Sequence, residues 1–314
     1  MTVRDLQHRI EYGAVLAVRE IVHWLPDAAG RAIGAGIGLT FYAVDGGHRR
    51  LATRQLREAF PTRSAAECRA IARAMFAHFG RLVVMILKFS TLTPDQMRAR
   101  VDYDGDDRVR AAHAAGKGVL LFSGHFGFWE LQGMAHPLAL PPMAVLARQL
   151  DNPYLHALLE RARTGTGNSV IYRRGAVRRV LRALHANGCV AVMIDQHISG
   201  GDAVVVNFFG RPAATTSALA ALALRTGAPV IPVFALPLPG GRFRMIYEHP
   251  VVPPPIETAD RVQEFTQRCT DVLEMYVRRH PELWLWMHRR WRDAGAESRR
   301  EGSPPSAAGG EARE

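Results

Sequence analysis

The chain has 314 residues, 48% hydrophobic and 22% charged, a balance that suits a globular protein and excludes a disordered one. Its formal net charge of +11, almost entirely from arginine, favours an anionic partner: nucleic acid, an acidic carrier protein, a phosphorylated substrate or an anionic membrane face. Cys68, Cys189 and Cys269 lie far apart with no CxxC and no zinc-ligand spacing, which argues against a disulfide framework or a metal site and for a reducing compartment.

The N-terminus MTVRDLQHRI carries mixed charges and lacks the apolar core of a signal peptide. Residues 12–25 are interrupted by Arg19, Glu20 and His23, and 82–92 is short and holds Lys88. Residues 32–44 are apolar and glycine-rich but too few for a bilayer span, which takes about 20 residues. No transmembrane helix is therefore expected. Val15, Val18, Ile21, Val22 and Leu25 recur at helical spacing beside Arg9, Arg19 and Arg31, as in an interfacial amphipathic helix or a buried helix of a helical region. Residues 45–48 (DGGH) form a turn, and 49–60 a short basic helix that ends before Pro61. Ser64 and Glu67 have the spacing of a capping box. Cys68, Ile71, Met75, Phe79, Leu82 and Ile86 then follow every three or four residues, which predicts one amphipathic helix over about 65–90. Thr93-Pro94 opens another short helix.

From residue 101 the pattern becomes α/β. Apolar runs at 101–103, 118–123, 143–147, 168–172, 189–194, 230–236 and 243–247 read as strands. Helical patterns at 107–115, 126–135, 152–164, 176–186, 216–226 and 260–279 alternate with them. The expected fold is a mostly parallel, twisted sheet flanked by helices, preceded by an N-terminal helical region. Residues 1–100 are assigned to that membrane-associating region, 101–293 to the α/β core that forms one unit with it, and 294–314, rich in Gly, Pro, Ser, Ala and charge, to a disordered tail.

The segment GVLLFSGHFGFWE at 118–130 carries the clearest chemical signal. His125 stands where a buried strand gives way to a helix, the ligand edge of an open α/β sheet. Glu130, five residues on, is read as turning back to one ring nitrogen and fixing the tautomer, which leaves the other nitrogen to accept a proton. The alternative is a helix-capping histidine and a solvated glutamate. Ser123 lacks the G-x-S-x-G frame of a serine nucleophile, so a covalent acyl-enzyme is not expected.

The HFGFWE string resembles the H-x4-D/E motif of glycerolipid acyltransferases, and in fuller extent the bacterial lipid A acyltransferase family. Further segments resemble that family in the same order. RQLDNP at 148–153 corresponds to R-P-x-x-N-P, with Gln149 in place of proline. DQ at 195–196, FFG at 208–210 followed by TT at 215–216, and WMHRRW at 286–291 also correspond. The resemblance implies a glycerol-3-phosphate-acyltransferase-like fold with His125 as general base and Glu130 as its orienting partner. It implies substrate contacts from Arg148, Arg163, Asp195, Gln196, Phe208, Phe209 and Gly210. Asp195 would orient a substrate hydroxyl or an arginine, or cap a turn; Phe208 and Phe209 would line an acyl groove or pack in the core. The interleaved tryptophans and arginines near the end suit a membrane interface or packing against the domain with arginines reaching outward. The implied reaction moves a fatty acyl chain from a thioester, acyl carrier protein or acyl-CoA, to a phosphorylated glycolipid such as a lipid A precursor, with no metal and no other cofactor. The implied partners are acyl carrier protein and anionic membrane lipids at the cytoplasmic face of the inner membrane. Acylation of another polar lipid and non-catalytic binding of anionic lipid are the alternatives. Nucleic acid is not expected, since the basic residues are scattered over amphipathic helices and form no recognisable module.

Overall fold

Helices make up the first hundred residues of the computed structural model, which describes residues 2–172 and 175–292. They are α1 (Val3–Trp24), α2 (Asp27–Val44), α3 (Gly46–Ala59), α4 (Ala65–Phe89) and α5 (Pro94–Arg98). Their starts follow local chemistry. Thr2 caps α1, Asp45 caps α3, and the Ser64–Glu67 pair closes a reciprocal capping box on α4. A second box, Thr93–Gln96, opens α5, with Pro94 in its first turn.

α4 is the axis of this region. Among the described residues it is the one helix long and apolar enough to cross a membrane by length and composition, yet half of its apolar window is buried. α2 lies against it at backbone contact, because Gly34 and Gly38 meet Gly80. A Cβ on Gly38 would stand 2.0 Å from the Phe76 carbonyl oxygen, and one on Gly80 2.0 Å from that of Gly34. Asp27 ties the other end, pairing with buried Lys88 at 2.7 Å and with Arg100 at 3.1 Å. Among the described residues nothing covers the outer faces of α1 and α2. Ile10, Ile21 and Trp24 on α1 are more than half exposed, and Ile33, Ile37, Phe41 and Val44 line the outside of α2.

The core follows in the anticipated alternation: β1 (Val101–Asp104), α6 (Asp106–Ala114), β2 (Val119–Ser123), α7 (Trp129–Ala135), β3 (Met143–Ala147), α8 (Pro153–Thr164), β4 (Ser169–Tyr172), α9 (Ala176–His185) and β5 (Cys189–Met193). After a hairpin, β6 (Ala203–Phe208) and β7 (Arg211–Thr216), come α10 (Ala218–Thr226), β8 (Val230–Pro237), β9 (Phe243–Tyr247) and α11 (Arg261–Arg279). Seven strands form one sheet in the order β1-β9-β8-β2-β5-β3-β4, parallel at every pairing except β8–β9. The predicted mostly parallel sheet with flanking helices is therefore what forms. β2, at its centre, is buried at all five positions, as a strand covered on both faces must be. Apolar clusters on the two sides of the sheet both include α4 side chains, so the helical region and the sheet share their core.

The hairpin was not anticipated. Its strands are joined by Phe209 and Gly210 alone, with φ of 57° and 71°, the positive values a tight two-residue turn requires. The expected tail, 294–314, lies outside the described residues.

The glycine contact between α2 and α4 makes a testable contrast. Gly38→Ala should destabilise the protein by about 1–3 kcal/mol, as overpacking does. Gly36→Ala, where an added Cβ meets nothing within 4 Å, should be neutral or stabilise by about 0.5–1 kcal/mol. Denaturant midpoints for the two variants check this; a Gly38→Ala variant as stable as the parent contradicts backbone contact.

Candidate active site

Parallel pairing brings the central groups together. β2 and β5 are neighbours in a register that sets Ser123 beside Met193. Residues 125 and 195 each lie two positions beyond that pair, at the carboxyl ends of adjacent strands, and there His125 meets Asp195. The Nδ1 of His125 donates to Asp195 Oδ1 at 2.8 Å, and its backbone N–H donates to Oδ2 at 2.7 Å. Trp284 Nε1 donates to the same Oδ2 at 2.9 Å. Asp195 is 3% exposed, so these three donors stand where water would otherwise be.

Glu130, expected to hold the imidazole, does not do so. The backbone makes a turn at Gly127, with φ 59° and a Cβ position only 2.1 Å from the Ala235 carbonyl oxygen, and α7 begins only at Trp129. Glu130 thus sits in the first helical turn and takes a two-point ion pair from Arg163 on α8, at 3.0 and 2.5 Å. The carboxylate that fixes the imidazole is Asp195, whose expected partners are a substrate hydroxyl, an arginine or the amides of a turn.

Electrostatics follow from this geometry. Burial alone would lower the His125 pKa. The charge and hydrogen bond of Asp195 outweigh it, Glu130 adds a smaller push, and the net shift is upward from 6.5. Burial disfavours the Asp195 carboxylate in turn, but His125 and Trp284 hold its pKa below the ordinary 3.8. With Nδ1 donating to Asp195, Nε2 is the free acceptor. The Gln196 amide Nε2 lies 3.3 Å from it.

His125 opens onto a cavity of about 830 Å³ that runs from the sheet's carboxyl edge to beneath α7. Trp129, Glu130, Arg163 and Gln196 border it near His125. Arg148 lies at its rim with a side chain 76% exposed, 3.6 Å from equally exposed Asp151. Leu121, Val145, Ala191, Val233 and Met245 give its inner wall an apolar lining. His125, Glu130, Arg148, Arg163 and Gln196 all line this cavity, with Asp195 directly behind His125.

Phe208, Phe209 and Gly210 do not. Phe208 stacks on Trp291 at 5.7 Å and meets Trp284 edge-on at 5.4 Å, while Phe209 meets Phe60 and Trp286. Gly210 is half of the hairpin turn. The acyl-groove expectation for these residues is corrected: they pack in the core, because the two-residue turn aims both rings inward. The C-terminal tryptophans belong to the same cluster. Trp284 and Trp286 are fully buried and Trp291 nearly so, which leaves no interfacial belt there. Arg290 is buried as well, bonded to the Ala214 carbonyl and Thr215, and burial lowers its pKa to about 10. This cluster seats the segment whose Leu285 N–H donates to the His125 carbonyl and whose Leu283 carbonyl accepts from Gly127 N–H. Trp284 as a ligand of the site carboxylate was missed; nothing in its spacing distinguishes it from a packing residue. His288 accepts from the His197 N–H at 3.2 Å and so bounds the cavity's loop rather than touching the imidazole.

An NMR titration tests the pairing. Protonated His125 is stabilised by Asp195, so Asp195→Asn should lower the His125 pKa. Glu130→Gln should lower it less. A larger drop in the glutamate variant would contradict the geometry.

The chain is similar to known acyltransferases over most of its length. The family model for bacterial lipid A biosynthesis acyltransferase matches residues 3–293. The lipid A biosynthesis lauroyltransferase of Escherichia coli (strain K12) is 26% identical over 289 residues, covering 90% of this chain and 92% of that protein. The lipid A biosynthesis myristoyltransferase of the same strain is 23% identical over 241 residues, covering 76% and 73%. The phosphatidylinositol mannoside acyltransferase of Mycobacterium tuberculosis (strain ATCC 25618 / H37Rv) is 25% identical over 270 residues, covering 84% and 83%. The match spans nearly every described residue, and the chain belongs to the bacterial lipid A biosynthesis acyltransferase family.

Proposed function

We propose that the protein moves a fatty acyl chain from the thioester of acyl carrier protein to a hydroxyl of a phosphorylated glycolipid of the lipid A precursor type. The observation that carries this reading is His125, held by buried Asp195 with Nε2 turned towards a cavity that is apolar inside and arginine-bearing at its rim. Nε2 takes the proton of the acceptor hydroxyl as the hydroxyl displaces the Gln196 amide. The oxygen bonds to the thioester carbonyl carbon, the carbon–sulfur bond breaks, and the proton on His125 passes to the departing thiolate. No metal or other cofactor is needed for these steps. General base catalysis of this kind is worth about 10²–10⁴ in rate.

The rest of the site is read in the same terms. The apolar inner wall suits the acyl chain. Arg148, exposed and with only a long contact to Asp151, suits an acceptor phosphate. Arg163 is engaged with Glu130, and the pair forms a rigid wall. The uncovered apolar faces of α1 and α2 suit insertion into one leaflet, with the +11 charge favouring an anionic surface such as the cytoplasmic face of the inner membrane. α1 lies beside α8 through Asn152, which donates to the His8 carbonyl and to Glu11, so a lipid leaving that leaflet has a short path to the rim.

Incubation of the purified enzyme with acyl-carrier-protein thioester and a lipid A precursor should give a product heavier by one acyl group. His125→Ala should remain folded and lose about 10²–10⁴ in turnover. Parent-like turnover in that variant contradicts the mechanism. The mannoside-acylating relative favours a mannosylated phosphoinositide as the alternative acceptor; acylation of that lipid and not of the precursor would move the assignment there. Gly133, on α7 at the cavity, has no atom within 4 Å of an added Cβ. Gly133→Leu should therefore shift the preferred donor to shorter chains, and an unchanged chain-length profile would contradict the acyl reading of the inner wall.

A further inference from the structure

α3 presents a second feature that the reaction above does not use. A groove of about 670 Å³ runs between α3 and the start of α4, lined by Arg49, Arg50, Arg54, Arg57, Arg63 and Arg69. Arg49 is bonded to the Tyr42 and Ala43 carbonyls. Arg50, Arg54, Arg57 and Arg69 make no ion pair among the described residues, Arg63 lies over the Phe60 ring near Glu67, and Glu58, the groove's acid, is paired with Arg211 at 2.7 Å. Arg50, Arg54 and Arg57 recur at helical spacing on the outer face of α3, since Ala52, Gln55, Leu56 and Ala59 form its buried face. So many unneutralised guanidinium groups in one concavity repel one another, and a protein retains such a surface at some expense of stability.

The groove differs in kind from the apolar faces of α1 and α2. Between Val44 and Val83 no large apolar side chain is exposed, so this surface has nothing to insert into a bilayer. It is cationic and concave, and it lies close to the site. The buried side of α3 holds the C-terminal segment: Gln55 donates to the Trp286 carbonyl at 2.6 Å and to the His288 carbonyl at 2.8 Å. His288 in turn accepts from the His197 N–H, next to Gln196. About one helix diameter, 10–12 Å, therefore separates the arginines from the segment whose His288 meets His197, a residue of the cavity wall.

We propose that this groove docks an acidic helix of the protein that carries the acyl thioester, an inference that rests on the reading of the donor as a carrier protein. Complementary charge would speed the encounter and align the carrier, and the thioester on its flexible arm would reach the cavity past the His197–His288 contact. A nucleic acid or a lipid headgroup could use the same charges; the acidic carrier is favoured because the groove exposes no large apolar side chain to a bilayer and lies across α3 from the segment that meets His197.

The test compares two donors with the full chain in detergent. The parent enzyme should use acyl carrier protein, with a KM that rises with salt. Arg50→Glu/Arg54→Glu should raise that KM tenfold or more while kcat at saturation is retained. It should leave kcat/KM for neutral acyl-pantetheine, the unfolding midpoint and binding to phosphatidylglycerol vesicles unchanged. Arg50→Lys/Arg54→Lys should behave like the parent. An unchanged KM for acyl carrier protein in the charge-reversed enzyme overturns the docking site while leaving the donor reading intact. Equal loss with both donors, or loss of vesicle binding with no change in KM, also overturns it. A parent enzyme that accepts acyl-CoA but no carrier thioester ends the donor reading and the docking site together.

Discussion

A carboxylate with almost no solvent contact persists only where donors replace its water, and Asp195 has three: the His125 imidazole, the His125 backbone and the Trp284 indole. Each comes from a part of the chain that must be in place first. His125 follows β2, and Asp195 follows β5. Trp284 arrives on a C-terminal segment seated by the aromatic cluster of Phe60, Phe208, Phe209, Trp286 and Trp291. The hairpin of β6 and β7 supplies two of those rings, and α3 anchors the segment through Gln55. Much of the fold thus converges on one ion pair, although few of these residues touch the cavity. Loss of any of the three donors leaves a buried charge short of a partner, a penalty of about 1–3 kcal/mol or more.

The second constraint is the division of surface. Among the described residues, apolar side chains that most soluble helices would bury stand exposed on α1 and α2, while arginines without an ion pair gather on α3. The glycine contact between α2 and α4 lets α2 lie flat on the core helix with its branched side chains turned outward. The proposed reaction takes its acceptor from a bilayer and moves an acyl chain that must not be left in water. On the proposed reading, one face meets lipid and another meets an acidic carrier, which separates the two deliveries.

Much of this was legible in the sequence, and the failures share a cause. Short apolar runs marked all seven strands of the sheet, and a capping box marked the start of α4, because those signals are local. His125 stood out because it follows a buried strand, and Asp195 through the DQ pair that resembles the family. Their pairing did not, since it depends on β2 lying beside β5, a contact between segments 70 residues apart. Glu130 was misread because the glycine turn delays the helix, and a spacing of five residues means one thing in a helix and another across a turn. Phe208-Phe209-Gly210 hid a hairpin, because Phe is an unusual residue at positive φ; only burial of its ring against Phe60 and Trp286 explains its presence there. The tryptophan–arginine ending carries the same letters whether it faces a membrane or a core, and the partners that decide the matter come from the hairpin.

The central claim, that Asp195 rather than Glu130 sets the base, is tested most directly by the tautomer of neutral His125. With 15N-labelled histidine, ring-nitrogen shifts at a pH above the His125 pKa should show Nδ1 protonated and Nε2 bare, and the Nδ1 proton should disappear from its hydrogen-bonded position in Asp195→Asn. A neutral imidazole carrying its proton on Nε2, or a tautomer that responds to Glu130→Gln and not to Asp195→Asn, would contradict the account.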